Sequence, residues 1–324
     1  MHLFKLIRLL KNYFSMYWLK PFDAINDAAN ASALLNFNWP ASGVLEVGGG
    51  DGVFSFIMHG GEYSFLNDRY EQADPGLKGD IYDTYSPQQP IKFKRAPGLS
   101  YDAGIDLKLS HLLKSRGTGL YRNNAVISSL SEALAVKDNI FSSVFLYTFH
   151  GLKDYSAALK EARRVIKKDG HLFMVALNSR VHNYFLCYRL GTYFRKIGCT
   201  ALANYFFQLD SGRRQEIGMI FSKGLREWNG LLSEAGFSIE EVYNHVSPLL
   251  WVIYDTQTRP FLRILIHITN FLKKVYLKPV LKIIWFVLWF PVLVIFYLLF
   301  AAPRRIKPQV SPKGIFFVFK AKAV

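Results

Sequence analysis

Residues 44–52, VLEVGGGDG, constrain the fold more than any other part of the sequence. A short apolar run ends in glycines at Gly48, Gly50 and Gly52, which predicts a buried strand, a tight loop and a helix beginning near Val53. Glycine is needed where the backbone turns sharply or lies against a ligand, because a Cβ would collide there. The N–H groups at the start of the next helix also favour electron-rich ligand groups. The stretch therefore predicts a ligand-binding loop in an α/β protein.

Two kinds of cofactor bind to loops of this type. The dinucleotide fingerprint G-x-G-x-x-G, started at Gly48, would need a glycine at Val53, so that match fails. The spacing E-x-G-x-G-x-G, read from Glu46 to Gly52, instead resembles motif I of the class I S-adenosylmethionine (SAM) methyltransferases. The resemblance implies that the loop lies under the methionine and ribose of SAM, and that the acid helps to hold the methionine end. The alternative is a glycine-rich turn in any α/β protein. The loop residues predicted to bind the cofactor are Glu46, Gly48, Gly49, Gly50, Asp51 and Gly52.

Length, charge and cysteine content limit the class of protein. A chain of 324 residues can hold one large domain, or a domain with an appendage. The formal charge of +16 favours nucleic acid or an anionic membrane surface as a partner. Because many aromatic residues lie near the two ends and in a late apolar segment, we expect a membrane and no nucleic acid. Cys187 and Cys199 form no C-x-x-C pair, so we expect neither a metal site nor a disulfide framework, which fits a reducing, cytosolic setting.

Residues 1–40 are predicted to form an N-terminal amphipathic helical region. Within residues 1–22 the apolar side chains fall on one helical face and the basic ones towards another. The charges are interleaved with the apolar residues, which is not typical of a signal peptide. Two interpretations stay open: a helix lying in the lipid headgroup region, or a helix packed on the core that covers the domain. The apolar face comprises Leu3, Leu6, Ile7, Leu10, Phe14 and Tyr17.

An acidic residue should close the next parallel strand and bind the ribose hydroxyls, commonly about 20 residues further on. Asp68 lies near that distance, but turn-forming residues follow it. We prefer Asp106, which ends the strand-like run YDAGID and precedes an amphipathic helix that Gly117 stops. Asp106 and Leu107 are therefore predicted to bind the cofactor. On this interpretation residues 60–100 are an insertion, whose length indicates a functional loop.

Residues 124–178 are similar to the later part of the same family. The run E-x-x-R-V-I-K-x-x-G resembles the family's E-x-x-R-V-L-K-P-G-G. Ser129 or Leu130 stands where many members place an adenine-contacting Asp, and both are predicted to bind the cofactor. Ser142 also stands where the family has another Asp. Because of these departures, an inactive member of the family is the alternative interpretation. The runs FSF…GG, GDIYD and GID-K also resemble a bacterial, type 11-like group of methyltransferases linked to surface-polysaccharide genes.

Residues 283–302 carry no charge and are long enough to cross the hydrocarbon core as a helix. Residues 314–322, GIFFVFKAK, predict a final strand, and the resemblance implies that it is antiparallel and inserts between strands 5 and 6. Both ends of the apolar segment should then lie on one side of the membrane, as its basic flanks also indicate. We therefore expect a re-entrant helical hairpin bent near Pro291, with residues 260–282 along the interface. Two full crossings are the alternative, which the charges within residues 260–277 disfavour.

Methyl transfer from SAM is an in-line displacement, for which a protein mainly supplies position and a dry pocket. A hydroxyl acceptor also needs a base near the end of strand 4. His150 lies there and is our candidate for the base, with a purely structural role as the alternative, and Tyr147 is a second candidate for the pocket. Arg213 and Arg214 either contact a phosphate or solvate a helix.

The sequence as a whole predicts an α/β, Rossmann-like, seven-stranded class I methyltransferase sheet with helices on both faces. The predicted function is SAM-dependent methylation, at the cytoplasmic face of the cell membrane, of a hydroxyl on a lipid-linked saccharide, glycolipid or prenyl-type acceptor. The alternatives are an inactive, membrane-anchored scaffold protein of the same fold, and a soluble small-molecule methyltransferase whose apolar segment packs between subunits. The predicted units are the N-terminal region (1–40), the methyltransferase domain (41–247, with an insertion at 60–100 and a substrate cap at 180–222), a membrane-associated helical insertion (248–308) and the final strand (309–324).

Overall fold

The structure is a computed structural model, and it describes residues 3–74, 76, 81–87, 92–126, 134, 136–147, 154–216, 222–258, 261–274, 276–307 and 313–324. The α-helices of the described residues are α1 (Leu3–Met16), α2 (Pro21–Leu34), α3 (Val53–Met58), α4 (Leu109–Arg116), α5 (Tyr155–Val165), α6 (Leu186–Lys196), α7 (Thr200–Glu216), α8 (Leu225–Glu234), α9 (Pro248–Thr258), α10 (Phe261–Lys274) and α11 (Lys278–Phe296). The strands are β1 (Val44–Val47), β2 (Glu62–Tyr63), β3 (Phe93–Arg95), β4 (Tyr101–Asp106), β5 (Tyr121–Val126), β6 (Phe141–Leu146), β7 (Ile166–Leu177), β8 (Phe237–His245), β9 (Arg304–Arg305) and β10 (Phe316–Ala323).

One sheet forms the centre of the molecule, with the strand order β5-β4-β1-β6-β7-β10-β8-β9. The strands from β5 to β7 pair in parallel, whereas β10 is antiparallel to both β7 and β8. The prediction of a final strand inserted between strands 5 and 6 is confirmed, since these correspond to β7 and β8. The seven predicted strands are present, and the two-residue strand β9 extends the sheet beside β8.

Helices cover both faces of this sheet, as predicted. One face packs against α1, α2, α3 and α9, and the other against α5 and α8. Successive side chains of β10 point to opposite faces of the sheet. Phe316 and Val318 pack in the hydrophobic cluster on the first face, and Phe317 and Phe319 in the cluster on the second. The last strand of the chain therefore joins the two halves of the hydrophobic core.

The N-terminal helices pack on the core of the domain. Tyr13 and Phe14 of α1 are fully buried, and the ring of Phe14 stacks on that of Phe286 in α11 at 4.8 Å. Phe22 of α2 meets the ring of Trp289 edge-on at 5.9 Å. The structure agrees with the second interpretation of residues 1–22, a helix that packs on the core and covers the domain. Most of the apolar face that the first interpretation placed in lipid is buried in protein.

The late apolar segment forms one continuous helix, so the predicted hairpin bend near Pro291 is wrong. Helix α11 runs through Pro291 and continues as a π-helical turn to Ala301. Proline removes one backbone hydrogen bond, but the helix is held on both sides of it by aromatic packing on α1 and α2. Among the described residues, Lys278–Ala301 is the one helix long and apolar enough to cross a membrane. Its buried stripe runs from end to end along the domain: Lys278, Lys282, Leu293, Tyr297 and Ala301.

The two lysines expected to flank a membrane segment turn into the domain instead. The ammonium groups of Lys278 and Lys282 lie 3.2 and 3.7 Å from a carboxylate oxygen of Asp68, which is fully buried and also accepts a hydrogen bond from the indole of Trp18 at 2.8 Å. Lys278 also pairs with Glu71 at 2.5 Å. The 60–100 insertion thereby fastens the start of α11, and Asp68 is committed to this ion cluster.

The predicted cap lies between β7 and β8 and consists of a 3₁₀ turn followed by the hairpin of α6 and α7. Arg214 pairs with the buried carboxylate of Asp210 one helical turn earlier, at 2.9 Å. Arg214 is therefore engaged within its own helix, and the side chain of Arg213 lies outside the described part of the structure.

Candidate active site

The glycine loop follows β1 directly. Gly48, Gly50 and Gly52 have φ angles of 76°, 60° and 75°, in the left-handed region that favours glycine, and α3 begins at Val53 as predicted. A Cβ added to Gly50 would meet one atom within 4 Å, Nδ1 of His111 at 3.7 Å. The space in front of Gly50 is therefore open among the described residues, and a ligand can lie against the backbone there.

Gly49 is small for a different reason. A Cβ at Gly49 would lie 2.5 Å from the hydroxyl of Tyr121 and 2.7 Å from the carboxyl carbon of Glu46, both of which are protein groups. Gly49 thus leaves room beneath the loop for the side chains of Tyr121 and Glu46 to meet.

Asp106 ends β4, the neighbour of β1, and its carboxylate lies against the loop. One oxygen accepts a hydrogen bond from the N–H of Gly50 at 2.9 Å, and the other accepts one from the N–H of Lys108 at 2.9 Å. Leu107, the next residue, is half exposed. The structure therefore brings the predicted ribose-binding acid and the predicted glycine loop together. Ser129 and Leu130, predicted to contact the adenine, lie outside the described residues.

Glu46 lies beneath the loop and does not line the cavity beside it. It is fully buried, and its two carboxylate oxygens accept hydrogen bonds from the hydroxyls of Ser55 at 2.7 Å and Tyr121 at 2.6 Å. Burial raises the pKa of Glu46 to about 7. These contacts tie α3 and β5 to β1, so that Glu46 supports the loop from beneath.

Asp51, at the tip of the loop, holds a residue of the 60–100 insertion. The Nε of Arg69 donates to its carboxylate at 2.8 Å, and the guanidinium lies 4.3 Å from the ring centre of Tyr82 and 5.5 Å from that of Tyr17. Burial alone would raise the pKa of Asp51, but the positive charge of Arg69 and of other basic neighbours lowers it. Arg69 was missed by the sequence analysis, which assigned no site residue to the insertion.

A cavity of about 220 Å³ opens beside the loop. Gly49, Gly50 and Asp51 line one end, Tyr147 lies after the end of β6, and Val175 and Phe316 of β7 and β10 line the other end. Helix α2 forms one wall with the polar side chains Asp23, Asn26, Asp27 and Asn30, and α9 contributes Trp251 and Tyr254. A second cavity, of about 280 Å³, lies under α1 and is lined by none of the predicted site residues.

Tyr147 joins the loop side of this cavity to α2. Its ring stacks on that of Phe54 with centres 3.9 Å apart, and its hydroxyl donates a hydrogen bond to Oδ1 of Asp27. Burial raises the pKa of Asp27 to about 7. His150, the predicted base, lies outside the described residues.

The sequence analysis missed Asp27, although a signal was present. Polar residues occur at 23, 26, 27 and 30 of an alanine-rich helix, on one face at helical spacing. A polar stripe on a helix that is otherwise buried indicates that these polar side chains line a cavity. Among the described residues no group of three or more His, Cys, Asp or Glu has the arrangement of a metal site.

Residues 103–174 match the family described as a methyltransferase domain. This segment runs from β4, with Asp106, through β5 and β6 into β7. The match supports a SAM-dependent methyltransferase, with S-adenosyl-L-methionine as its cofactor, and the strand order is that of the mixed α/β, Rossmann-like methyltransferase fold.

A search of curated proteins finds no significant match. Among solved structures, the chain is similar to a SAM-dependent methyltransferase from Thermotoga maritima, at 14% identity and a TM-score of 0.48, over 98% of each chain. It is also similar to phosphoethanolamine N-methyltransferase 2 of Haemonchus contortus in complex with S-adenosyl-L-methionine, at 13% identity and a TM-score of 0.43, over 96% of this chain and 56% of that one.

Proposed function

We propose that this protein is a SAM-dependent methyltransferase that acts at the cytoplasmic surface of a membrane, on a hydroxyl of a lipid-linked saccharide, glycolipid or prenyl-type acceptor. The observation that carries the enzymatic part is the open space at Gly50 beside the carboxylate of Asp106. A carboxylate at the end of β4, the strand next to β1, suits a ribose diol, because a carboxylate can accept hydrogen bonds from both hydroxyls. Backbone without side chains beside it leaves room for the rest of the nucleoside.

The described residues fit the cofactor. Asp106 would hold the ribose, and Gly50 would lie against the cofactor at the open part of the loop. Arg69 lines the cavity next to the loop, where its positive charge suits the methionine carboxylate. When bound, SAM supplies an activated methyl group, which forms a bond to the acceptor oxygen while its bond to sulfur breaks and leaves the electron pair on sulfur.

Asp27 is placed to take the proton of the acceptor hydroxyl. Tyr147 occupies one carboxylate oxygen of Asp27 and fixes the side chain at the wall of the cavity. A carboxyl group whose pKa lies near 7 is matched to proton abstraction at neutral pH. Asp27 is thus the proposed base among the described residues, and Tyr147 positions it. His150 stays a candidate from the sequence.

The membrane part of the proposal rests on one side of α11. Its exposed residues recur every three or four positions and are all apolar, so that they form one uncharged strip, which we call the apolar face of α11. Ile264, Ile268 and Phe271 of α10 are exposed in the same way. A surface of this kind is typical of an interaction site, and a helix lying flat in the lipid interface presents such a face. The large exposed residues of the apolar face are Val280, Ile283, Ile284, Val287, Leu288, Val292, Ile295, Leu298 and Leu299.

The cavity and the apolar face are separated by one helix. Phe22 of α2 packs on Trp289 of α11, while Asp23 and Asp27 of the same helix line the cavity. Packed helices have axes about 8–10 Å apart. A headgroup in the cavity is therefore close enough for its lipid tail to remain in the bilayer, which supports an acceptor carried on a lipid.

Calorimetric titration with SAM tests the enzymatic part. We expect Gly50→Arg to abolish binding, because the new side chain fills the open space at the loop. Gly198→Arg is the matched control, since Gly198 also has a positive φ, of 82°, and no atom within 4 Å of an added Cβ, but lies between α6 and α7. A wild-type protein that does not bind SAM would favour the scaffold alternative, and equal loss in both variants would indicate misfolding.

A further inference from the structure

We infer that the far end of the 220 Å³ cavity is an acceptor site for a polyhydroxyl group, such as a sugar ring or polyol. The inference rests on the proposed function and deepens it, because it selects one class among the acceptors named above. It argues against an isoprenoid chain or a quaternary ammonium group as the part of the acceptor that enters the cavity.

The order of the strands distinguishes a cofactor side of the cavity from an acceptor side. Asp106 and Gly50 lie at β4 and β1, whereas Val175 and Phe316 lie at β7 and β10, on the other side of β6. Tyr147 follows β6 and stands between the two sides. A cofactor held at Asp106 therefore leaves the space beyond Tyr147, between α2 and α9, for the acceptor.

Three residues that line this cavity each have a buried polar atom without a hydrogen-bond partner among the described residues: Oδ1 of Asp23, Oδ1 of Asn26 and Nε1 of Trp251. Asn26 and Trp251 are 6% and 0% exposed, so that bulk water does not reach them in the folded protein. Buried polar groups are almost always paired, and leaving them unpaired lowers stability. These atoms therefore indicate a ligand that completes their hydrogen bonds.

The chemistry of these atoms determines the class of ligand. Carboxylate and amide oxygens accept hydrogen bonds, whereas the indole N–H of Trp251 only donates. Hydroxyl groups do both, so a group with several hydroxyls can satisfy all three atoms. A quaternary ammonium group neither donates nor accepts, and an isoprenoid chain has no polar atoms, so either would leave all three unpaired.

Aromatic side chains shape the same end of the cavity. The indole of Trp251 packs against the ring of Tyr254, with centres 4.7 Å apart, and meets that of Phe316 edge-on at 5.6 Å. Trp251 is fully buried and holds this corner rigid, whereas Tyr254 is partly exposed and offers flat apolar surface to the C–H face of a sugar ring, while the polar side chains of α2 receive its hydroxyls. This combination of an aromatic corner with unpaired acceptors and a donor suits a polyhydroxyl ring better than a fully apolar group.

The test is the identity of the methylated product. The full-length protein is incubated with methyl-labelled SAM and a membrane lipid extract, and the labelled lipid is hydrolysed and separated. We expect the label in an O-methyl sugar or O-methyl polyol. Label in a methylated amine or in the isoprenoid fraction would overturn this inference and leave methyltransferase activity established. No label in any fraction would count against the enzymatic function itself.

A matched pair of variants provides a second measurement. Asn26→Leu removes one unpaired acceptor, so we expect it to raise the KM for the lipid acceptor about tenfold or more, as the loss of one good hydrogen bond does. Its affinity for SAM should stay unchanged and its thermal midpoint should not fall. Asn12→Leu makes the same change in α1, where Asn12 lines the other cavity, and should leave the KM for the acceptor as in the wild type. An unchanged KM in Asn26→Leu would contradict the inference.

Discussion

The carboxylate of Asp106 accepts a hydrogen bond from the backbone N–H of Gly50, at 2.9 Å. The two residues are 56 positions apart in the sequence and meet because β4 and β1 are neighbours in the sheet. One acidic side chain thus orients the open part of the glycine loop, where the proposed cofactor binds.

We expect Asp106→Asn to weaken SAM binding by about tenfold to a hundredfold, since hydrogen bonds to a charged group contribute roughly 1.5–3 kcal/mol. Calorimetry measures the dissociation constant. Asp102→Asn is the control, because Asp102 lies on the same strand and its carboxylate also accepts backbone N–H groups, those of Gly43 and Val44. Similar affinities of the two variants would argue against the assigned role of Asp106.

The proposed base predicts a specific pH dependence. Proton abstraction needs the ionised form of Asp27, so kcat/KM should fall about tenfold per pH unit below pH 7. The hydrogen bond from Tyr147 stabilises the carboxylate and lowers its pKa. Tyr147→Phe should therefore raise the pKa of Asp27 and move the rising limb of the profile to higher pH. Labelled-methyl transfer, measured across a pH series, checks this shift.

Tyr13→Phe is the matched control for that profile. The hydroxyl of Tyr13 is equally buried but donates to the carbonyl of Phe54, at 2.8 Å, and makes no hydrogen bond to Asp27. Its variant should keep the wild-type limb. A limb that stays in place in Tyr147→Phe, or moves to lower pH, would remove Asp27 from the mechanism.

Glu46 predicts how stability depends on pH. In the folded protein its carboxyl keeps its proton up to about pH 7, whereas in the unfolded chain it loses the proton near 4.5. The folded state binds more protons between these values, so its stability falls as the pH rises through this window. Relative to Glu46→Gln, the wild type should lose roughly 3 kcal/mol of unfolding free energy between pH 4 and pH 8. Urea unfolding at both pH values measures this difference, and a difference independent of pH would show that the carboxyl is ionised when folded.

The proposed membrane binding should be abolished by charges on the apolar face of α11. Val287 and Leu288 are 66% and 64% exposed, so replacing both by Glu removes no buried contact and should leave the thermal midpoint unchanged. Ionised carboxylates are costly in the acyl region, so the double variant should no longer cosediment with vesicles of phosphatidylcholine and phosphatidylglycerol. The same double change at Leu202 and Tyr205 of α7 adds equal charge elsewhere and should preserve binding. Equal loss in both variants would point to net charge alone.

The parts of the fold that were predicted correctly have local signatures or follow from the family resemblance. The apolar run, the glycines and the helix start at Val53 are contiguous, so periodicity and glycine placement suffice to recognise them. The strand that closes at Asp106 also has a local signature, the run YDAGID before an amphipathic helix, whereas the position of the final strand follows from the strand order that the resemblance implies. Asp106 meets the loop because β4 pairs with β1.

The errors and omissions concern contacts between distant residues. Lys278 looks like a membrane flank in the sequence, but it pairs with Asp68, 210 positions earlier. Asp27 meets Tyr147 across 120 positions. The continuity of α11 through Pro291 depends on aromatic contacts with α1 and α2, which local proline rules do not include. These features depend on tertiary packing, and neither spacing nor composition encodes them directly.

The interior position of β10 also determines the order of events during synthesis. Until residues 316–323 have left the ribosome, β7 and β8 each lack the neighbour that joins them, and the hydrophobic core is incomplete. Helices α10 and α11 precede β10 in the chain and emerge first. The nascent protein therefore exposes its most apolar helix before the domain can close, at a stage when unfinished cores are prone to aggregate. Capture of that helix by a nearby bilayer would protect the chain and orient the enzyme before it has folded.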